Sequence, residues 1–132
     1  PYFRHFVKRV YFQFCGIRNM IEKQMLDLHT AFLAKILNVN GSTAKIQPLG
    51  LTREIGGDQK KHAVISGVPI MNQAKYKLSI IDGILNAQTI TVGDVAVCVC
   101  CDRDITEAVK GINAFPPPGH HTMSDCVIVG VL

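Results

Sequence analysis

With 132 residues, 48% of them hydrophobic and 18% charged, the chain has the composition of one globular domain, which excludes a disordered tail protein and a two-core assembly. Its formal net charge of +4 is localised: residues 1–19 hold Arg4, Lys8, Arg9 and Arg18 with no acid, and the remainder carries ten basic and ten acidic residues. Aromatics divide the same way, with Tyr2, Phe3, Phe6, Tyr11, Phe12 and Phe14 early and only Phe32, Tyr76 and Phe115 later.

In chain order, residues 1–19 form a basic, aromatic extension, readable as a membrane-surface segment, a targeting peptide or a docking tail. Met20 is a candidate natural start, with the extension as upstream or appended sequence; residues 20–132 then form the domain. Asn19 with Glu22 resembles a helix cap, and Ile21, Met25, Leu28 and Phe32 make an apolar stripe at helical spacing. From Thr30 to Val39 the period shortens to that of a strand. Asn40-Gly41 is a hairpin signal, and Thr43 to Pro48 answers as the second strand.

Leu51 to His62, with Gly56-Gly57, reads as a polar mobile loop. Val64 to Gln73 reads as a strand whose Pro69 demands an edge position or a bulge. A further strand ends at Asp82-Gly83, and Leu85 to Val92 leads into the central segment. That segment, Val95 to Cys101, is uncharged on both parities: Val95, Val97, Val99 and Cys101 on one, Ala96, Cys98 and Cys100 on the other. It is expected to be a central strand buried on both sides. Asp104 is then placed to cap a short helix over 105–110, with Glu107 in the capping-box position and Gly111 as its left-handed stop. Phe115-Pro116-Pro117-Pro118-Gly119 is an extended connector. Cys126 to Leu132 is the closing strand. Together these elements predict an all-β fold, a small Greek-key barrel of the OB type with an N-terminal helix and one short helix before the last strand. SH3-like barrels and sandwiches are alternatives.

Few groups suggest chemistry. The five cysteines are odd in number and irregularly spaced, which fits small buried hydrophobes in a reducing compartment. Cys98, Cys100, Cys101, His120, His121 and Cys126 invite a metal, but Cys98 and Cys100 lie on a straight strand and Cys101 points away, so no site is expected. Asp102-Arg103-Asp104 and Asp125 are read as structural, with Arg103 bridging acids, and Ser124-Asp125 as a turn before the last strand. No phosphate loop, dinucleotide fingerprint or hydrolase elbow is present. The expectation is a protein without enzymatic activity, catalytic residues or cofactor. The neutral body also lacks the basic groove and stacked aromatics of a single-strand binder, so no nucleic acid is expected as partner.

Two segments carry a family resemblance. Asp102-Arg103-Asp104-Ile105, after an apolar strand opened by Gly93-Asp94, resembles a segment of the N-terminal OB domain of the membrane-piercing central spike proteins of contractile phage tails. His121-Thr122-Met123-Ser124-Asp125-Cys126, running into V-I-V-G-V-L, is similar to a second segment of that domain. L-H-T-A-F-L-A-K-I-L-N-V-N, A-K-I-Q-P-L and Val68-Pro69-Ile70 add weaker matches, so the resemblance spans residues 20–132. It implies a structural virion protein at the tail baseplate, assembled in the host cytoplasm, acting mechanically in envelope penetration. It also implies a homotrimer seated on the baseplate hub beneath the tail tube. That family continues into a β-helix with an iron-binding apex, for which this sequence has no counterpart; either a separate spike-tip protein completes the point or the spike is blunt. The alternative function is an OB-type module for single-stranded nucleic acid, and a small metal-binding domain is a third.

The apolar surplus on both parities of the two uncharged strands independently predicts an oligomer. With the valines assigned inward, the predicted interface consists of Ala96, Cys98, Cys100, Ile128 and Leu132.

Overall fold

The computed structural model describes residues 2–53 and 57–132. Helix α1 (Tyr2–Asp27) is followed by nine strands: β1 (Ala31–Asn40), β2 (Thr43–Pro48), β3 (Leu51–Arg53), β4 (Gln59–Lys61), β5 (Ile65–Pro69), β6 (Tyr76–Ile81), β7 (Ile84–Thr89), β8 (Val95–Cys100) and β9 (Cys126–Val131). Five of them form one antiparallel sheet in the order β5-β2-β1-β8-β9, and the other four make two separate hairpins, β3-β4 and β6-β7. The fold is mostly β, built on a curled half-barrel sheet. Its two edges meet where Ile70 bridges Ile128 in parallel and the Met71 N–H donates to the Ile128 carbonyl at 3.0 Å.

The turn chemistry explains the meander. The β1–β2 loop consists of Gly41-Ser42, with Gly41 at φ +61 and Ser42 not left-handed, the pattern of a type II′ turn; the Asn40-Gly41 signal is displaced by one residue. At the β6–β7 turn both Asp82 (φ 53) and Gly83 (φ 77) are left-handed, as a type I′ turn requires. Pro69 ends the edge strand β5, and a register irregularity against β2 coincides with Gly67 at φ +67, so the expected edge position and bulge are both present. Two further bulges, at Leu37 opposite β2 and at Val129 opposite β8, bend the sheet and tighten its curl.

Burial follows from that curl. The concave face holds Ala34, Ile36, Ala44, Ile46, Val68, Ala96, Cys98, Cys100, Cys126 and Ile128, all buried. Ala74, in the short 3-10 turn Asn72–Lys75, and Ile90 close one end of the core. The interior of so small a barrel has little volume, and alanines and cysteines alternating with a few isoleucines fill it. The bulky valines of β8 stand on the convex face: Val95 and Val97 are half-buried and Val99 is exposed. β8 is thus central in the sheet, between β1 and β9, as expected, but only one of its faces is buried by this chain.

Several expectations are corrected. No helix starts at Asn19; α1 runs unbroken from Tyr2, so the boundary at residue 19 falls inside a helix, and Phe32 belongs to β1. The predicted loop over 51–62 contains the β3-β4 pair, with residues 54–56 outside the described residues. Leu85 to Val92 is mostly the return strand of a hairpin. The predicted helix over 105–110 shrinks to a 3-10 turn, Ala108–Lys110, ended by Gly111 at φ 76. Asp104 still bonds the chain, its Oδ1 accepting from the Thr106 N–H at 2.9 Å, whereas Glu107 pairs with Lys110 rather than closing a capping box.

The parity of β8 gives a direct test. Ile128→Ala, which removes a fully buried side chain, is expected to cost about 2–5 kcal/mol in urea unfolding. Val97→Asp, on the convex face, is expected to retain a cooperative transition; loss of folding in that variant would place the valines inside.

Candidate functional site

The two sequence motifs converge at one end of the β8-β9 pair. The Cys101 N–H donates to the Asp125 carbonyl at 2.8 Å and the His121 N–H to the Asp102 carbonyl at 3.3 Å. Within the second motif, the Asp125 N–H returns to the Thr122 carbonyl at 3.1 Å, the Thr122 hydroxyl donates to the Asp125 carboxylate, and Thr122 and Ser124 hydroxyls lie 3.4 Å apart. His121 adopts a left-handed φ of 47, and its buried Nδ1 has no hydrogen-bond partner. Segments some twenty residues apart are thereby one structural unit: the D-R-D turn leaves β8 where the S-D turn enters β9. Arg103 is exposed and forms no ion pair among the described residues, so it does not bridge acids as expected. Asp102 and Ser124 are exposed; Asp104, His121 and Asp125 are half-buried.

Gly93-Asp94, which opens the first motif, has a definite structural task. Asp94 Oδ2 accepts from the Thr91 N–H at 2.8 Å and stands 3.1 Å from Lys77 Nζ on β6. On the backbone, the Ile36 N–H donates to the Asp94 carbonyl and the Gly93 N–H to the Ile36 carbonyl, at 2.9 and 2.8 Å. This one turn therefore aligns β8 with β1 and ties the β6-β7 hairpin to the sheet. The Thr91 N–H, followed by Lys77, holds the Asp94 carboxyl below its ordinary range.

Cys98, Cys100 and Cys126 sit together on the concave face, with Cys100 directly opposite Cys126 in the β8-β9 register. All the cysteines are free thiols. Burial, with Cys126, Cys101 and Asp125 nearby, pushes the Cys100 thiol up to about 11. Cys126 keeps its proton because it shares that proton with Cys98 and is buried. Burial, and then Asp102 and Asp125, also raise Cys101. These are packing thiols, the reverse of an activated nucleophile. No group of three or more His, Cys, Asp or Glu among the described residues is arranged to hold a metal ion.

The predicted interface residues do not share an outer surface. Ala96, Cys98, Cys100 and Ile128 are core residues, closed off by the chain itself, while Leu132 is 77% exposed. The difference from expectation is one of parity: the curl of the sheet turns the small side chains inward. The exposed apolar surface lies elsewhere, in two places. On the convex sheet face, Leu33 pairs with Val97 and Val99 with Val127. On β6-β7, Leu78 faces Ala87 and Ile80 faces Leu85; Leu78, Ile80 and Leu85 are 65%, 75% and 67% exposed. The β6 alternation is legible in the sequence, and the signal for its partner strand is the alternating apolar residues on both sides of Asp82-Gly83.

No known family model matches this chain, and no curated protein matches it significantly.

Two outcomes follow from this geometry. Asp94→Ala is expected to destabilise the protein by about 1 kcal/mol at neutral pH, chiefly through the lost turn hydrogen bond, since a partly exposed ion pair adds little. Because the folded carboxyl has a lowered pKa, that contribution is present at neutral pH and is lost as pH falls below about 4, so the gap in unfolding midpoint between wild type and variant should close in acid. Secondly, titration with a thiol reagent at pH 8 should modify Cys15 rapidly and Cys101 slowly, with Cys98, Cys100 and Cys126 reacting only on unfolding.

Proposed function

We propose that the protein is a structural, self-associating component of a contractile phage tail, the central spike or hub cap of its baseplate, acting by mechanical loading without catalysis. The observation that carries the self-association is the β6-β7 hairpin. A two-stranded hairpin in water is marginal at best, and here its apolar side is left open by the rest of the chain. Tyr76, Leu78, Ile80 and Leu85 on that side need cover, and the convex face around Leu33 and Val99 offers apolar area on the same protein. A second copy supplies both halves of such a contact. Three copies is the number the tail-spike resemblance implies.

Support for the spike reading comes from the motifs. The D-R-D-I and H-T-M-S-D-C segments are hydrogen-bonded neighbours, as parts of one structural unit would be. The strand order also suits an OB domain. Counting only the five sheet strands in chain order, it is 3-2-1-4-5 with a parallel contact from 5 back to 3, a partly closed five-stranded Greek key. On this reading the partners are the baseplate hub and the tail-tube proteins, and the site of action is the virion.

Light scattering on the purified protein is expected to give a mass near three times 14.5 kDa. The double variant Leu78→Glu/Ile80→Glu should give monomer with an intact unfolding transition, because the hairpin lies off the core. An antibody to the chain should label the baseplate end of contractile particles released by the producing cell. A wild-type monomer would sink the self-association; absence from such particles, with salt-sensitive retention on single-stranded DNA, would move the function to the nucleic-acid module.

A further inference from the structure

We infer that α1 is a membrane-surface helix that lies in the headgroup layer of an anionic bilayer. The inference stands on α1 alone and is independent of the spike reading. At 26 residues α1 is about 39 Å long, and it has no substantial packing contact with any described strand. Phe3, Val7, Val10, Phe14, Ile17 and Ile21 recur at intervals of four and three, forming one continuous stripe, and all six are exposed. Phe6 and Tyr11 widen the stripe at its borders, where aromatic rings suit an interface. The remaining surface carries Arg4, Lys8, Arg9, Arg18 and Lys23, interrupted by the exposed Phe12 and flanked by Tyr2 and Leu26. Glu22 is the only acid on the helix before Asp27, and it is already paired with Arg18 at 3.2 Å.

Low average hydrophobicity, a continuous exposed apolar stripe and a mainly basic remaining surface, on which Phe12 adds a further ring, are the combination that binds in the plane of a membrane. Crossing the bilayer is a different matter, since no helix among the described residues is long and apolar enough to do so. A second copy of α1 is the competing occupant, because the same spacing is a heptad. The flanks decide against it. Beside the stripe stand Arg4, Tyr11 and Arg18 on one border and Phe6, Gln13 and Met20 on the other. In a parallel bundle the Arg4, Tyr11 and Arg18 border of one copy would face the Phe6, Gln13 and Met20 border of the next, with no acid there to pair the arginines, whereas lipid phosphates match every cation.

The test uses the full chain and sedimentation with vesicles of phosphatidylcholine alone or with about a third phosphatidylglycerol. The expected result is binding to the anionic vesicles, weak binding to the neutral ones, and release as salt rises. Lys8→Glu/Arg9→Glu should weaken binding by roughly fivefold or more for each charge reversed. Val10→Asp/Phe14→Asp should abolish it while leaving the unfolding transition of the sheet unchanged, and Leu78→Glu/Ile80→Glu should still bind the anionic vesicles and prefer them to the neutral ones, with no more than the loss of avidity that separating the copies brings. Equal binding to both vesicles, no binding to either, or loss of binding only in the hairpin variant would each overturn the inference. So would an oligomer that Val10→Asp/Phe14→Asp dissolves in a protein that ignores lipid, which would assign the stripe to a second copy.

Discussion

Interior volume is the constraint on which this structure depends. A five-stranded sheet that curls until its edges touch encloses room for one layer of side chains, and the layer must be small where strands approach most closely. Ala34 faces Ala96 across β1 and β8, and Phe32, opposite Cys98, stays only partly buried at the margin. Close packing leaves no latitude for exchanging these with the valines next to them. The same limit forces bulk outward. Valine favours a strand but does not fit the concave side, so a protein with this sheet presents an apolar convex surface whether or not it has a partner.

That surplus shapes the reading of function more than any polar group does. Cys98, Cys100 and Cys126 are buried in the core, the Asp104 and Asp125 carboxylates accept from the Thr106 N–H and the Thr122 hydroxyl, and Arg103 is exposed. What the molecule offers the outside is area: a valine-rich sheet face, an uncovered hairpin and an amphipathic helix. Association through apolar surface is proportional to the area withdrawn from water, which makes these three features the natural points of contact.

The sequence made the local elements legible where turn chemistry and periodicity agreed. Gly111, Asp82-Gly83 and Pro69 each marked a boundary the structure keeps, because left-handed backbone and a missing N–H are constraints of the residue itself. The strands β1, β2, β8 and β9 were likewise readable. The inward face was not. Val95 to Cys101 is apolar on both parities, and nothing within it says which way the sheet bends; that is set by pairing with β1 sixty residues earlier and by bulges at Leu37 and Val129. The interface residues followed the wrong parity for that reason. Helix α1 was missed as one element because its composition changes near Met20, while its apolar period continues through that point.

The order in which the sheet is stitched has a temporal consequence. β1 is made early but pairs on one side with β8, and β8 in turn needs β9, so much of the concave face depends on contacts far apart in sequence. Such long-range pairings are slow to form because a large loop must close first. During synthesis, then, the hairpin β1-β2 waits half-covered until residues 126–131 have left the ribosome. α1 faces no such delay: all of its hydrogen bonds are local, and it can form while the rest of the chain is still being made. Its apolar stripe is consequently presented to the cell before the barrel exists, and whatever it docks on can be engaged by a nascent chain.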